Sequence, residues 1–358
     1  MATIESSKSV AFQSQAKKPY TQSWVDRLIE AVRRLPVPWW LFYAGLGSAM
    51  LLAQAATKWS DGTYPFLTFN LYHMLWVMTS VYLLAVMHYI DNVAEEALAA
   101  FRPALRVNEA EYRDLLYRLT ASPALPALLA SLIGPAYATV SLLNTSPERF
   151  RLLQLYTSLP ASAADGFAYI VGWAVITVFV YRTIHQLRFV NSIYTHHAQI
   201  DIFQITPLFA FSRLTARTAV LLVFGVYIHF IATPSLEGSP LAVAILGADV
   251  LIALVTFVWP LLGIHRLLDE EKDRLQSENG QQLKATITEL HGRIATGELQ
   301  KMDSLNQAMQ SLVIEQNVLD KVPTWPWKPE TPRLLFTAIL LPIILYVLQL
   351  VITGVLQL

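Results

Sequence analysis

Three side chains in this sequence have types and positions suited to chemistry inside a membrane: Asp249, His229 and His73. Each falls within a long apolar run, and Asp249 is the only carboxylate inside the seven runs drawn below. It lies about seven residues into the run 242–265, roughly 10 Å below a membrane surface. An ionisable group at that depth costs on the order of 2.5–3.5 kcal/mol by insertion scales unless a partner or water stabilises it. His229 lies about six residues before the end of the run 218–235, which the short loop 236–241 joins to 242–265 as an antiparallel neighbour. A His–Asp pair across that hairpin favours the ionised carboxylate and an imidazolium. His73, at matching depth in the run 66–90, makes a third member, with Asn70 and Tyr72 as further hydrogen-bonding groups. Two readings stand side by side. One is a cation, proton or polar-ligand site; the other is a polar pair that fixes helix register, as such groups commonly do between membrane helices.

The remaining histidines permit a haem alternative. His73 and His88 lie roughly 22 Å apart along one helix and within about 60° of one face. Paired axial imidazoles would have to be borrowed from His229, and from His265 or His185, because no second run repeats the spacing. As polar residues at span ends, His88, His185 and His265 need no cofactor, and none is expected. His196, His197 and Asp201 lack a nameable fourth ligand for a metal, so that stretch reads as a solvated loop.

The elements that must position these groups are membrane helices. The chain has 358 residues, 54% hydrophobic and only 15% charged, against about 25% charged in average soluble domains. Runs near 38–57, 66–90, 122–144, 166–187, 218–235, 242–265 and 334–357 are long enough to cross a hydrocarbon layer of about 30 Å. The fold class is therefore all-α, a polytopic transmembrane bundle of seven spans. Of the 26 Lys and Arg, all but Lys58, Arg149 and Arg151 fall on one side if the N-terminus is cytoplasmic. The positive-inside rule then places the protein in the cytoplasmic membrane with Leu358 outside. Residues 1–20 read as a disordered tail without a signal-peptide core. Residues 21–37 form an amphipathic helix on the inner surface, with Trp24, Val25, Leu28, Ile29, Val32 and Leu35 opposite Asp26, Arg27, Glu30 and Arg34. Residues 38–265 are the six-span bundle and 334–358 the last span. Ala130, Gly134 and Ala138 let backbones approach closely, within the bundle or across an oligomer seam. Pro260 and Pro342 kink their spans.

Between spans six and seven, residues 266–333 form the one substantial polar region. Leu283, Ile287, Leu290 and Ile294, then Leu305, Met309 and Leu312, recur at heptad-like steps on either side of Gly297. They predict an antiparallel cytoplasmic hairpin roughly 35–40 Å tall. Met302, Met309 and Leu312 are the candidate partner-binding residues, for a homo-oligomer or a cytoplasmic protein. The arm ends in Val322-Pro-Thr-Trp-Pro-Trp-Lys-Pro329, where alternating Pro and Trp forbid a helix. That stretch, with Asp-Glu-Glu-Lys at 269–272, resembles functionally uncharacterised bacterial polytopic membrane proteins over the C-terminal quarter of the chain. The resemblance implies no activity, cofactor or substrate.

No Walker loop, Rossmann glycine fingerprint, GxSxG elbow or HExxH motif is present, and no cysteine to serve as nucleophile or ligand. The soluble segments are too short for a kinase domain, and nothing suggests nucleic acid as a partner. The expectation is a non-enzymatic channel-like or sensor protein with a lipid bilayer as its surroundings; a structural or scaffold subunit is the alternative.

Overall fold

A computed structural model describes residues 18–144, 158–198, 201–202, 204–231, 240–297, 302–328 and 330–356. Among them the chain is helical, with two isolated β-bridges and no strand. Helix α1 spans Trp24–Arg33, α2 Trp39–Ser60, α3 Leu71–Phe101, α4 Glu109–Thr120, α5 Ala124–Leu143 and α6 Leu159–His197. Then follow α7 Ala210–Ile231, α8 Pro240–Val258, α9 Leu262–Thr296, α10 Met302–Lys321 and α11 Glu330–Leu356. Five helical stretches are long and apolar enough to cross a membrane: His73–Ala104, Ala124–Leu143, Leu159–His197, Pro207–Ile228 and Gly247–Thr296. They overlap the second to sixth predicted runs, the fifth only over 218–228. The first and last runs are helical too, as α2 and α11, but do not join those five. In α2 the apolar character is diluted by Gly45, Gly47, Ser48, Gln54 and Lys58.

The helices outrun the hydrophobic segments that announce them. Helix α3 continues past residue 90 to Phe101, and α6 starts seven residues before 166 and ends at His197. Local chemistry sets these ends. Ser158 caps α6 by accepting from Ala161 N, and Pro160 sits in the first turn, where a missing N–H is harmless. Asn108 and Glu111 form a capping box at α4. Gly297, with φ at 76°, terminates α9 in the left-handed region that costs glycine least.

Helix α1 is held by protein. Val25, Ile29 and Val32 are fully buried against the bundle, and so is Asp26, which was expected on the polar face. Ser23 N donates to Ser122 O and Ala124 N to Thr21 O, so the chain before α1 pairs with the entry to α5. Tyr20, within the expected tail, donates through its hydroxyl to Ala121 O at 2.8 Å. Trp24 and Leu35 stay exposed beside it. The small-residue stripe lies inside the bundle: α5 packs along α6, with Ala127, Ala130, Gly134 and Ala138 buried between them. A Cβ on Gly134 would overlap the carbonyl of Trp173. The other face of α5, from Leu125 through Ile133 to Val140, is exposed and apolar, which is compatible with hydrocarbon surroundings.

Pro260 sits in a single 3-10 turn, Trp259–Leu261, that joins α8 to α9. Helix α10 runs back along α9. Asn279 Nδ2 donates to Leu312 O, Gln276 Nε2 to Asp320 Oδ1, and Lys272 Nζ to the carbonyls of Asp320 and Val322. The Pro–Trp stretch then stacks in order: Trp325 on His265 at 3.9 Å, Trp325 on Trp327 at 4.4 Å, and Trp327 on Phe257 at 5.2 Å.

The α5–α6 contact makes a sharp test. Gly134→Leu forces a branched side chain into backbone, an overpacking that costs about 1–3 kcal/mol or more. It is expected to lower the thermal midpoint of the purified protein and its folded yield. Gly45→Leu, at an open position with nothing within 4 Å of its Cβ, is expected to leave both unchanged. Equal effects would mean the helices do not meet at Gly134.

Candidate functional site

Helices α2, α3 and α6 meet at the end of the bundle away from α1, where α2 contributes two polar side chains and α3 and α6 one each to a common point. The C-terminal half of α2 brings Lys58 and, one turn earlier on the same face, Gln54. The first turn of α3 brings His73, and the second turn of α6 brings Asp165. Lys58 is 1% exposed, His73 6% and Asp165 7%, so water does not shield the group.

Asp165 is the hub. Its Oδ2 lies 2.8 Å from Lys58 Nζ and 2.7 Å from His73 Nδ1, while Oδ1 accepts from Gln54 Nε2 at 2.7 Å. Gln54 Nε2 also donates to the backbone carbonyl of His73 at 2.9 Å, which ties α2 to α3 directly. Lys58 Nζ contacts His73 Nδ1 as well. One imidazole nitrogen therefore faces a cation and a carboxylate together. It donates to Asp165 when it carries hydrogen and accepts from Lys58 when it does not. Gln54 Oε1 is buried and has no hydrogen-bond partner among the described residues. Tyr64, in the loop after α2, covers the group: its ring is 5.4 Å from Lys58 Nζ and edge-on to His73 at 5.8 Å. Burial pushes the Tyr64 phenol up from its ordinary value, with the Asp165 charge adding to it. Beside the site, Asp61 accepts from the Ser158 hydroxyl and from Thr63 N, which holds its carboxyl below the usual carboxylate range.

A second buried network lies at the α1 end. Arg182 of α6 pairs with Asp26 of α1 and with Asp91 of α3, the latter at 2.5 Å, and donates to Thr120 O at 2.6 Å. Asp26 Oδ2 also accepts from Ser23 Oγ, Ser23 N and Ser122 N at 2.7–3.0 Å, so one carboxylate caps α1 and anchors it. Arg182 is fixed among protein acceptors and does not face solvent.

These networks revise the sequence reading. Asp249 is not the only carboxylate within the apolar helices, because Asp165 and Asp91 each fall one residue outside the runs drawn for spans four and two. Of the three expected site residues, His73 is in the cluster, with Asp165 as its carboxylate. Asp249 is buried on α8, which packs against α7, and among the described residues no side chain ion-pairs or hydrogen-bonds with it. The His229 side chain lies outside the described residues. Lys58 and Asp165 escaped sequence reasoning, although Ser158-Leu-Pro marks a helix start that would have brought Asp165 inside.

The other histidines have neighbours of their own. His88 stacks on Trp39 at 5.3 Å and its Nδ1 is 3.4 Å from the Tyr43 hydroxyl. His265 stacks on Trp325 and its Nδ1 lies 3.1 Å from Thr324 O. His196 and His197 end α6, and among the described residues no three His, Asp or Glu side chains are grouped to hold a metal ion. Met302, Met309 and Leu312 are half-buried on α10, while Val313, Ile314 and Val318 are its open apolar positions. No protein-family model, curated protein or solved structure matches this chain.

Removing one member of a buried pair leaves the other charge uncompensated and costs about 3–5 kcal/mol. Asp165→Asn is therefore expected to destabilise the protein by that amount in reversible unfolding. The double variant Lys58→Met with Asp165→Leu should recover most of the loss, because no charge is then stranded. If the double variant were as unstable as the sum of its single changes, the two groups would not be coupled.

Proposed function

We propose that this is a non-enzymatic, proton-responsive sensor or channel-like protein of the cytoplasmic membrane, and that Lys58, His73 and Asp165 are its titrating unit. The observation that carries the reading is the position of His73 Nδ1 between an ammonium and a carboxylate. In a site where three side chains touch one another and exclude water, a proton is the cation that needs no additional cavity. With Lys58 charged, Asp165 ionised and His73 neutral, the cluster carries no net charge. Proton uptake leaves it one positive charge in excess in a low-dielectric setting, where such an excess acts strongly on neighbouring helices. Gln54 Oε1 supplies an acceptor into which a repositioned Lys58 or imidazole N–H can turn.

The membrane frame rests on the five apolar helices, extended here to seven by α2 and α11. With the N-terminus in the cytoplasm the proton site lies in the outer half, reachable from outside through the Tyr64 loop. The α9–α10 pair is then a cytoplasmic hairpin arm, whose open positions Ile287, Ile294, Ile314 and Val318 suit an oligomer or a cytoplasmic protein. A scaffold reading is favoured by one observation: both buried networks join helices distant in sequence, as pure fastenings would.

In proteoliposomes the wild-type protein is expected to show a pH-dependent step, in proton flux or in the infrared amide band. His73→Gln should abolish the step while keeping the fold. An identical step in that variant would remove His73 as the responding group, and no step in either protein would leave the scaffold reading. For topology, a periplasm-dependent reporter fused after Leu358 should be active, and one at Gly297 silent.

A further inference from the structure

Two apolar crevices open between α3 and α7, away from the Lys58 cluster. One, of about 310 Å³, is lined by Met78, Tyr82 and Leu83 of α3, Phe179 of α6, and Leu222 and Ile228 of α7. The other, of about 360 Å³, lies nearer the α1 end between Trp39, Ala85, Tyr89, Arg217, Val220 and Leu334. Tyr82 and Leu221 line both, so the two crevices adjoin there and run on from one another as a trough along the α3–α7 seam. The Tyr82 hydroxyl donates to Leu221 O at 2.7 Å, so the tyrosine brings a satisfied polar atom to an otherwise greasy trough. Gly225 keeps the trough open: a Cβ there would come 3.1 Å from Tyr82 Cε1.

The length and the charge of this trough fit one ligand. From Met78 to Tyr89 on α3, and from Arg217 to Ile228 on α7, the lining extends about 16 Å at 1.5 Å per residue. That is about half of a 30 Å hydrocarbon layer, the reach of one leaflet's acyl chain. At the α1 end, where Trp39 and Tyr89 form an aromatic rim, stands Arg217. Its guanidinium lies over the Tyr89 ring at 5.8 Å and makes no ion pair among the described residues. Arg213, exposed one turn earlier on the same helix face, adds a second cation. An unpaired guanidinium at the interfacial end of an apolar trough is complementary to a phosphodiester whose tail fills the trough.

We propose that this trough binds one anionic phospholipid from the leaflet at the α1 end, its phosphate on Arg217 and one acyl chain between α3 and α7. The site depends on the chain being embedded in a bilayer but not on proton chemistry at His73, so either proposal can fail alone. The test uses the full-length protein, delipidated in neutral detergent and titrated with dioleoylphosphatidylglycerol or dioleoylphosphatidylcholine under native mass spectrometry. One phosphatidylglycerol should bind with at least about fivefold preference, the increment expected of one basic side chain at a charged interface. Arg217→Gln should reduce phosphatidylglycerol to the phosphatidylcholine level, and Val226→Trp, which fills the trough, should weaken both. Equal binding of the two lipids by the wild type, or unchanged preference in Arg217→Gln, overturns the proposal. Should Arg217→Gln fail to fold, phosphatidylglycerol carrying a diazirine at its acyl end decides on the wild type. Crosslinks at 78–82 and 222–228 support the site, and crosslinks confined to other helices refute it.

Discussion

Charge buried in apolar surroundings is costly unless it is paired, and that constraint arranges the α1, α2, α3 and α6 part of this bundle. Transferring a single ammonium or carboxylate into such an interior carries an effective penalty of several kcal/mol. Lys58 and Asp165 each meet that penalty by meeting one another, and His73 and Gln54 give the carboxylate further polar contacts. Arg182 is treated likewise by Asp26 and Asp91. Because the partners come from different helices, satisfying the charges also sets which helices touch and in what register.

Helices α3 and α6 carry both networks. His73 and Asp91 lie near opposite ends of the membrane-length portion of α3, and Asp165 and Arg182 lie likewise on α6. Each pair is separated by about 25 Å along its axis. Between them, Gly172 of α6 admits the ring of Trp76 to within 2.7 Å of where its Cβ would stand. The two helices are thus joined by charge at both ends and by close packing in the middle. Sliding either along the other would break two ion networks at once.

Much of this was legible from residue order. The apolar runs locate the five helices long enough to span a membrane, and the Ala130–Gly134–Ala138 stripe identifies a close-packed face of α5. His73, one of the three residues proposed from the sequence, lies in a buried polar group, but with Lys58, Gln54 and Asp165 rather than with Asp249. Those partners were not singled out, for a physical reason. A hydropathy boundary falls where charge begins, so a charged residue near a helix end is assigned to the loop whether or not the helix continues beneath it. Lys58, Asp91 and Asp165 each lie one residue beyond such a boundary, and all three are buried. Asp26 was misplaced differently. The helical spacing put it on the polar face of α1, but that face is not wholly wet, because Arg182 stands behind it.

The same reasoning separates the fixed part of the molecule from the part free to respond. The α3–α6 pair, with α1, α2 and α5 fastened to it, is held by ions or by backbone-close contacts. Among the described residues, helix α7 meets α3 mainly through apolar surface and the hydrogen bond from Tyr82 to Leu221 O, with two crevices between them. Helix α8, with Asp249 buried and unpaired among the described residues, packs on α7 rather than on the fastened core. Apolar surfaces in hydrocarbon lose little by sliding, since lipid tails replace protein contacts at nearly equal free energy. If the Lys58 cluster changes charge as proposed, the α3–α7 seam is where the bundle offers least resistance. On the far side of that seam α8 leads through the Trp259–Leu261 turn into α9, along which α10 packs.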